Sequence, residues 1–301
     1  MTLQKEIIVF KDLNKKNLDI FNKSVGDIEL LKNSILEKKV NVFVLDNVIK
    51  EQSLNELGLQ VYRWLIYDQV FEEIRKKTKL FLSPHYHDLM NKGYIKIENF
   101  LSSGEIKNIQ TKILKIPQAN LTKKISCNLP LTIDMRNNSD FQDILKMCQA
   151  DNNYTENELY LRKISHVKPG EYSEDARQYN FHVDKFYPNF KIWFYPFSVK
   201  EQDGPLAFFE SSHINTVEKM RWVYNRSLED KDWSRLHYNI DDYVSMSNSL
   251  NLKEEIRCSA SANTMFIVDT RMFHRRTPAK IGKLRLSLRA ILKRNNIFRK
   301  T

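Results

Sequence analysis

Cysteine is scarce in this 301-residue sequence, and the placement of the few cysteines excludes two kinds of cross-linked scaffold. Cys127, Cys148 and Cys258 are odd in number, lie far apart and form no Cys-x-x-Cys pair. Neither a disulfide framework nor a zinc knuckle is therefore indicated. We expect a protein of the reducing cytoplasm.

Long apolar runs and targeting signals are also missing. No stretch approaches the roughly 18 consecutive apolar residues that indicate a membrane-spanning helix. The N-terminal residues, MTLQKEIIVF, lack the apolar core of a secretion signal. We expect neither secretion nor a membrane partner.

Negative charge is absent from the last part of the chain, and this segment accounts for the whole net charge of +11. Residues 270–301 contain eleven Lys or Arg and no Asp or Glu, so the two signs are equal in number before them. Such a basic segment can attract an anionic substrate or a nucleic-acid backbone. Because a recognition motif and interleaved exposed aromatics are missing, we do not expect a nucleic-acid partner.

Apolar residues are plentiful enough for a large core. Hydrophobic residues make up 42% of the chain and aromatic residues 11%, a composition typical of a globular protein. Residues 1–88 combine helical patterns with one short apolar run and carry no catalytic motif. We predict a mostly helical N-terminal extension that packs against a catalytic domain, with partner binding or oligomerisation as the alternative.

A second domain is predicted over residues 89–301. GYIKIENFLSSGEI indicates a short strand, a turn and a helix that begins at Ser102, where Ser102 and Glu105 form a capping box. Beyond Tyr160, short segments rich in Phe, Ile, Val and Tyr favour antiparallel strands. We therefore predict a mainly β protein with helical additions, in which a jelly-roll, cupin-like core carries a lid at residues 211–257.

Two histidines and one aspartate have the pattern of metal ligands. His182 and Asp184 lie in an apparent strand, where alternation puts both side chains on one face. His274 ends another strand-like run further along the chain. Two imidazoles and a carboxylate leave adjacent coordination positions open for a cosubstrate and O2. This donor set favours non-haem iron(II) over a closed tetrahedral zinc shell.

An arginine and a serine follow on the next predicted strand. In LRLSLRA, alternation places Arg285, Ser287 and Arg289 on one face and the leucines on the other. A guanidinium can bind a carboxylate through two parallel hydrogen bonds, and Ser287 can donate a third. The alternative is an ordinary exposed strand edge with solvated arginines.

Taken together, these segments resemble the phytanoyl-CoA dioxygenase family of iron(II)/2-oxoglutarate oxygenases over about residues 89–292. The resemblance includes GYIKIENFLSSGEI and DGPLAFFESSH, and it departs at Glu210-Ser211, where the family usually has Pro-Gly. It implies a double-stranded β-helix fold. The ligands that it implies are His182, Asp184 and His274 for iron, and Arg285 and Ser287 for the distal carboxylate of 2-oxoglutarate.

The reaction implied by this resemblance is oxidation of a C–H bond in a small molecule by O2 and 2-oxoglutarate, with succinate and CO2 as coproducts. Hydroxylation is the default outcome, because Asp184 fills the position that related halogenases leave open for chloride. Desaturation, epoxidation and cyclisation would leave the same ligands in place. A non-catalytic jelly-roll binding protein is the alternative from another functional class.

Several further residues are candidates for contacts with cosubstrate or substrate. Lys163 is the candidate for a second cosubstrate contact, with Arg162 as the alternative of opposite facing. Arg275 and Arg276 directly follow a metal ligand, so we expect one of them to meet an anionic group of the substrate. Trp222 in the predicted lid can cover the substrate, with core packing as the alternative.

Overall fold

The structure, a computed structural model, describes most of the chain. Cys127, Cys148 and the basic residues of 293–301 lie outside the described residues, as do 43–48 of the apolar run and 230–235 of the predicted lid. The described residues are 10–42, 51–77, 85–116, 160–165, 178–229, 236–237 and 243–292.

Helices form much of the described chain, and five of them precede the first strand. Asn14 and Asp27 accept hydrogen bonds from backbone N–H groups that the first turns of two helices leave unpaired. No helix among the described residues is long and apolar enough to cross a membrane. The helices are α1 (Lys15–Ser24), α2 (Ile28–Lys38), α3 (Gln52–Glu56), α4 (Leu59–Lys77), α5 (Tyr86–Asn91), α6 (Ser103–Leu114), α7 (Val217–Leu228) and α8 (Tyr243–Ser249).

The predicted capping box is confirmed at the start of α6. The Ser102 hydroxyl accepts a hydrogen bond from the Glu105 backbone N–H (3.4 Å), and the Glu105 carboxylate accepts one from the Ser102 backbone N–H (2.9 Å). Ile109 and Ile113 are buried on the apolar face that their spacing predicts. The strand and helix predicted from GYIKIENFLSSGEI are therefore both present.

The described strands form two antiparallel sheets of five strands each. The strands are β1 (Tyr94–Ile97), β2 (Tyr160–Ser165), β3 (His182–Val183), β4 (Phe190–Tyr195), β5 (Leu206–Phe209), β6 (Leu236–His237), β7 (Glu255–Arg257), β8 (Thr264–Asp269), β9 (His274–Arg276) and β10 (Leu284–Leu292). The major sheet has the order β1-β8-β4-β10-β2, and the minor sheet has the order β6-β3-β9-β5-β7.

Successive strands from β2 to β5 and from β7 to β10 alternate between the two sheets. This winding of antiparallel strands makes a double-stranded β-helix, so the predicted jelly-roll core is confirmed. The expectation of a mainly β protein is not confirmed, because helices contain more of the described residues than strands do. The N-terminal segment and the insert between β5 and β7 supply most of those helices.

Each sheet turns one face toward the other sheet and one face toward helices. The layer between the sheets, called here the interior, contains Trp193, Tyr195 and Phe266 from the major sheet and Phe208 from the minor sheet. The outer face of the major sheet packs against α4 and α6 through Phe190 and its neighbours. The outer face of the minor sheet packs against α1, α4 and α7. The N-terminal helices therefore share cores with both sheets, as the predicted packing requires.

The insert after β5 packs against the N-terminal helices. Helix α7 contacts α1, α3 and α4. The Tyr224 hydroxyl donates a hydrogen bond to the carbonyl of Glu56 (2.9 Å), and Arg221 donates one to the carbonyl of Lys23 (2.9 Å). The first part of the predicted lid is therefore a fixed element of the helical layer.

The turn that begins the insert keeps a backbone conformation that normally favours glycine. Ser211, at a position where the family usually has Gly, has φ of +66°, which costs an L-residue about 1–2 kcal/mol. Its hydroxyl donates a hydrogen bond to the carbonyl of Asn91 (2.7 Å), and its backbone N–H donates one to the carbonyl of Lys92 (2.9 Å). These bonds join the turn to the end of α5 and offset part of the strain.

Gly93→Ala should destabilise the protein by roughly 2 kcal/mol or more, because two effects combine. Gly93 has φ of +85°, and a Cβ atom there would lie 2.5 Å from Met272 Sδ and 2.6 Å from His213 Nδ1. Urea unfolding measures the change. Gly104→Ala is the matched control, because nothing lies within 4 Å of its new Cβ; it should be neutral or stabilise by up to about 1 kcal/mol. Equal effects of the two substitutions would contradict this account of Gly93.

Candidate metal centre and cosubstrate pocket

The register of β3 and β9 brings the two predicted histidine ligands together. His182 and His274 are direct partners across this antiparallel pair, so their side chains project from the same face. Their ring centroids lie 4.4 Å apart, and both residues are buried. Asp184 follows β3, where its backbone N–H donates a hydrogen bond to the carbonyl of Thr270 (3.0 Å).

The three side chains bring their donor atoms close together. The distance from His182 Nε2 to Asp184 Oδ1 is 3.8 Å, and that from His274 Nε2 to Asp184 Oδ2 is 3.6 Å. Two donors that share one ion at about 2.1 Å each can lie no more than about 4.2 Å apart, so both pairs fit. All the candidate donor atoms lie within 4.8 Å of one another.

Backbone carbonyls set the orientation of both imidazoles. His182 Nδ1 lies 2.9 Å from the carbonyl oxygen of Asn180, and His274 Nδ1 lies 2.9 Å from that of Met272. A carbonyl can only accept, so Nδ1 carries the proton in each ring and Nε2 keeps a lone pair toward the centre. This support is the usual arrangement behind metal-binding histidines.

The Asp184 carboxylate is held as an anion. Burial alone would raise the pKa of Asp184, but the neighbouring Lys191 ammonium is the largest opposing influence, and the pKa lies well below its ordinary value. Lys191 forms an ion pair with Asp184 Oδ2. The triad thus offers two imidazole Nε2 atoms and one carboxylate, a donor set suited to iron(II).

Sequence reasoning missed Lys191, although a signal was present. In FKIWFY, Lys191 alternates with Trp193 and Tyr195, so the three side chains share one face of β4. The pairing of Lys191 with Val268, a residue of the layer between the sheets, shows that this face is the interior. The interior position of Lys191 follows from the sheet packing, which the local pattern does not contain.

The predicted cosubstrate residues lie on the interior face of β10. Arg285 is 2% exposed and Ser287 is fully buried, while Leu286 and Leu288 turn to the helices on the other face. Strand β10 lies between β4 and β2. The alternative of an exposed edge with solvated arginines therefore does not describe Arg285.

Buried hydroxyl groups accompany Arg285 in the interior. Among the described residues, Ser287 Oγ and Thr264 Oγ1 are buried and have no hydrogen-bond partner. Thr264 pairs with Tyr195 across β8 and β4, so both side chains share the interior face. Burial raises the pKa of Tyr195 to about 12, against the opposing effect of Arg285. A guanidinium beside neutral hydroxyls is a suitable environment for a carboxylate.

Trp193 lies between Arg289 of this pocket and His274 of the candidate metal centre. Trp193 lies edge-on to His274, with 6.5 Å between ring centroids. The Arg289 guanidinium lies over the Trp193 ring at 4.9 Å from its centroid. Arg285, Ser287 and Arg289 therefore line the inner face of the major sheet, which faces the interior that contains the triad.

The two arginines after His274 face opposite sides of the minor sheet. Arg275 donates two hydrogen bonds to the Glu255 carboxylate (2.7 and 2.9 Å) and covers Phe181 on the outer face. Arg276 pairs with Leu206, a residue of the interior layer, and is 8% exposed. Only Arg276 of the two is therefore placed to meet a ligand in the interior.

Trp222 does not lie in the interior. It is 8% exposed and lies edge-on to Phe273 at 4.9 Å, within the core between the helices and the outer face of the minor sheet. The predicted substrate contact is replaced by core packing, because α7 lies against the sheet instead of over the pocket. Its apolar ring completes a helical core that the sequence pattern could not assign.

The position of Lys163 is known only from the backbone register. Lys163 pairs with Leu286, whereas Arg162 pairs with Ser287. The side chains of β2 lie outside the described residues. A cosubstrate contact by Lys163 therefore stays a prediction.

Solved structures similar to this chain include SnoN, EctD and SnoK. SnoN, an epimerase in complex with Fe3+, alpha ketoglutarate and nogalamycin RO, is 12% identical over 74% of this chain and 83% of its own, with a TM-score of 0.40. EctD from S. alaskensis with bound Fe is 11% identical over 67% and 73%, with a TM-score of 0.42. SnoK, a non-heme alpha ketoglutarate dependent carbocyclase, is 10% identical over 67% and 80%, with a TM-score of 0.39.

Iron or alpha ketoglutarate is named for each of these three neighbours. No protein-family model and no curated protein matches the chain. At these identities and TM-scores the similarity carries no argument about activity. The case for function therefore rests on the triad and the pocket.

Asp184→Ala should abolish stabilisation of the protein by divalent metal, because it removes the only carboxylate of the triad. Mn(II), a redox-stable substitute for iron(II), at a hundredfold excess over its Kd should add about 2.7 kcal/mol to the free energy of unfolding of the parent protein. Thermal melts with and without Mn(II) measure this effect. His87→Ala, which changes an exposed histidine outside the triad, should keep it. Undiminished stabilisation of the Asp184 variant would refute the ligand assignment.

Proposed function

We propose that this protein is an iron(II)/2-oxoglutarate-dependent oxygenase of the phytanoyl-CoA dioxygenase type, and that its default reaction is hydroxylation of a small anionic molecule. The observation that carries the proposal is the convergence of His182, Asp184 and His274 in the interior of a double-stranded β-helix. Two imidazoles and one carboxylate leave room for additional ligands on the ion. The free, buried thiol of Cys258 agrees with a cytoplasmic location.

In this proposal, Arg285 binds the distal carboxylate of 2-oxoglutarate. The guanidinium supplies two parallel donors, and the Ser287 hydroxyl supplies a third. The buried Ser287 and Thr264 oxygens support the assignment, because a buried polar atom without a partner is costly unless a ligand satisfies it. Iron(II) bound with 2-oxoglutarate supplies the activation of O2, and succinate and CO2 are the coproducts.

The surrounding side chains keep the pocket dry and the ligands oriented. Trp193 and Phe208 form apolar walls beside the triad. Lys191 neutralises the Asp184 oxygen that faces the major sheet, so the carboxylate keeps one orientation. Asp184 also fills the coordination position that a halide would need, which favours oxygen transfer over halogenation.

An anionic substrate is proposed because Arg276 projects into the interior two residues after a metal ligand. Lys191, Arg276, Arg285 and Arg289 all face this layer, whereas Asp184 is the acidic residue of the triad beside them. Such a concentration of basic side chains produces a positive potential that favours a substrate carrying a carboxylate or phosphate.

Anaerobic titration with iron(II) and 2-oxoglutarate should produce the weak visible charge-transfer band of the chelated cosubstrate, and admission of O2 should then yield succinate. Arg285→Gln should raise the 2-oxoglutarate concentration required by roughly 30-fold or more, since charged hydrogen bonds contribute about 2 kcal/mol. Arg257→Gln, which changes an exposed arginine on the outer face of the minor sheet, is the control. Absence of the band and of iron uptake would favour a non-catalytic binding protein.

Arg276→Gln should abolish the stimulation of succinate formation by anionic compounds and leave the 2-oxoglutarate requirement unchanged. A screen of phosphorylated and carboxylated metabolites, paired with neutral analogues, measures the stimulation. Arg275→Gln is the matched control. Arg275 is the adjacent residue in the chain, but its side chain lies on the outer face of the minor sheet, where it is paired with Glu255. If neutral analogues stimulated the parent and the Arg276 variant equally, the anionic substrate class would be wrong.

A further inference from the structure

One short turn positions two of the three candidate ligands. In residues 269–273, between β8 and β9, the Thr270 carbonyl accepts the hydrogen bond from the Asp184 backbone (3.0 Å). The Met272 carbonyl accepts the one from His274 Nδ1 (2.9 Å). A displacement of this turn would therefore move the carboxylate and one imidazole together.

The side chain of Arg271 fixes this turn through charged hydrogen bonds. Its Nε and Nη2 donate to the Asp269 carboxylate at 3.1 and 2.7 Å, and its Nη1 donates to Asp68 Oδ1 at 2.6 Å. The Arg271 and Asp269 side chains are 3% and 2% exposed. Because Arg271 lies between Thr270 and Met272, these bonds anchor the segment whose carbonyls orient the ligands.

Asp68 belongs to the N-terminal helix α4, not to the jelly roll. Its second oxygen accepts a hydrogen bond from Asn215 Nδ2 (3.3 Å), at the start of the insert. The Asp68 side chain is 30% exposed. Its carboxylate therefore lies on the solvent side of the Arg271 guanidinium. Asp68 and Arg271 are 203 positions apart in the sequence, so their contact is made only by the tertiary fold.

A second side chain holds the same turn from α7. Lys219 Nζ donates to the carbonyl of Arg271 (3.2 Å) and to the carbonyl of Ser212. This nitrogen lies 4.9 Å from the ring centroid of Trp64. Trp64 and Asp68 are four residues apart on α4, so one face of this helix meets both supports of the turn.

A buried ion pair is by itself weak evidence for stability, because desolvation opposes the Coulomb gain. Its placement is informative here, since the pair acts on a turn whose carbonyls orient two ligands. Removal of a group that hydrogen-bonds to a metal ligand and orients it typically weakens metal affinity by about 10- to 100-fold. The geometry therefore favours a role in positioning over one in stability alone.

We propose that Asp68 is a positioning residue of the metal centre, and that it acts through Arg271 to hold the turn at residues 269–273. This inference rests on the proposed metal-binding function. It gives the N-terminal helical segment a part in the chemistry, because α4 supplies a group on which the ligand geometry depends.

Co(II) binding, followed by visible absorption under anaerobic conditions, tests the inference without turnover. Asp68→Asn, which keeps the shape and removes the charge, should weaken Co(II) affinity about tenfold at temperatures well below its Tm. Glu73→Gln is the matched control, because it breaks a different ion pair of α4, with Lys11, away from the turn. The control should bind Co(II) like the parent. Arg271→Lys, which keeps the charge but not the planar fork, should shift the affinity in the same direction as Asp68→Asn.

Two results would overturn the inference, and they differ in meaning. If Asp68→Asn and Arg271→Lys lowered only the Tm and bound Co(II) with the parent's affinity and spectrum, the pair would be structural and the metal site would stand. If the parent bound no Co(II), the proposed function itself would fail. Should Asp68→Asn not fold, Arg271→Lys alone would decide the question.

Discussion

Backbone pairing between β3 and β9 places His182 directly across from His274, and the candidate metal centre depends on this register. A shift of either strand by one residue would turn its imidazole to the opposite face of the minor sheet and separate the two rings. That opposite face is apolar, with Phe181 and Phe273 packed under the helices. The hydrophobic cover on one face therefore stabilises the orientation of the polar ligands on the other, and the triad needs the helical layer as much as the strands.

Charge in the interior is the second constraint. Eleven basic residues lie in 270–301, yet several of those that the structure describes are buried instead of forming a basic surface. Arg271 and Arg275 are paired with carboxylates outside the interior, whereas Arg276 and Arg285 enter it. The charge pattern thus describes the pocket more than the surface.

The N-terminal helices connect these two constraints. Helix α4 covers the minor sheet with Trp64 and contributes Asp68 to the ion pairs behind the ligand turn. The sequence of this segment contains no catalytic motif, and its packing against the jelly roll is the role that the sequence predicts. The contact between Asp68 and Arg271 joins residues 203 positions apart, so no local pattern could have indicated it.

Local periodicity was sufficient to predict the jelly-roll strands, the capping box at Ser102, the shared face of His182 and Asp184, and the alternation in LRLSLRA. These features depend on neighbours within a few residues, where strand and helix geometry determine relative facing. Tertiary structure decided which face is the interior, and thereby separated Arg276 from Arg275, brought Lys191 to Asp184 and placed Trp222 in the core. A strand pattern says which residues share a face, but only the pairing of sheets and the helices that cover them determine which face meets a ligand.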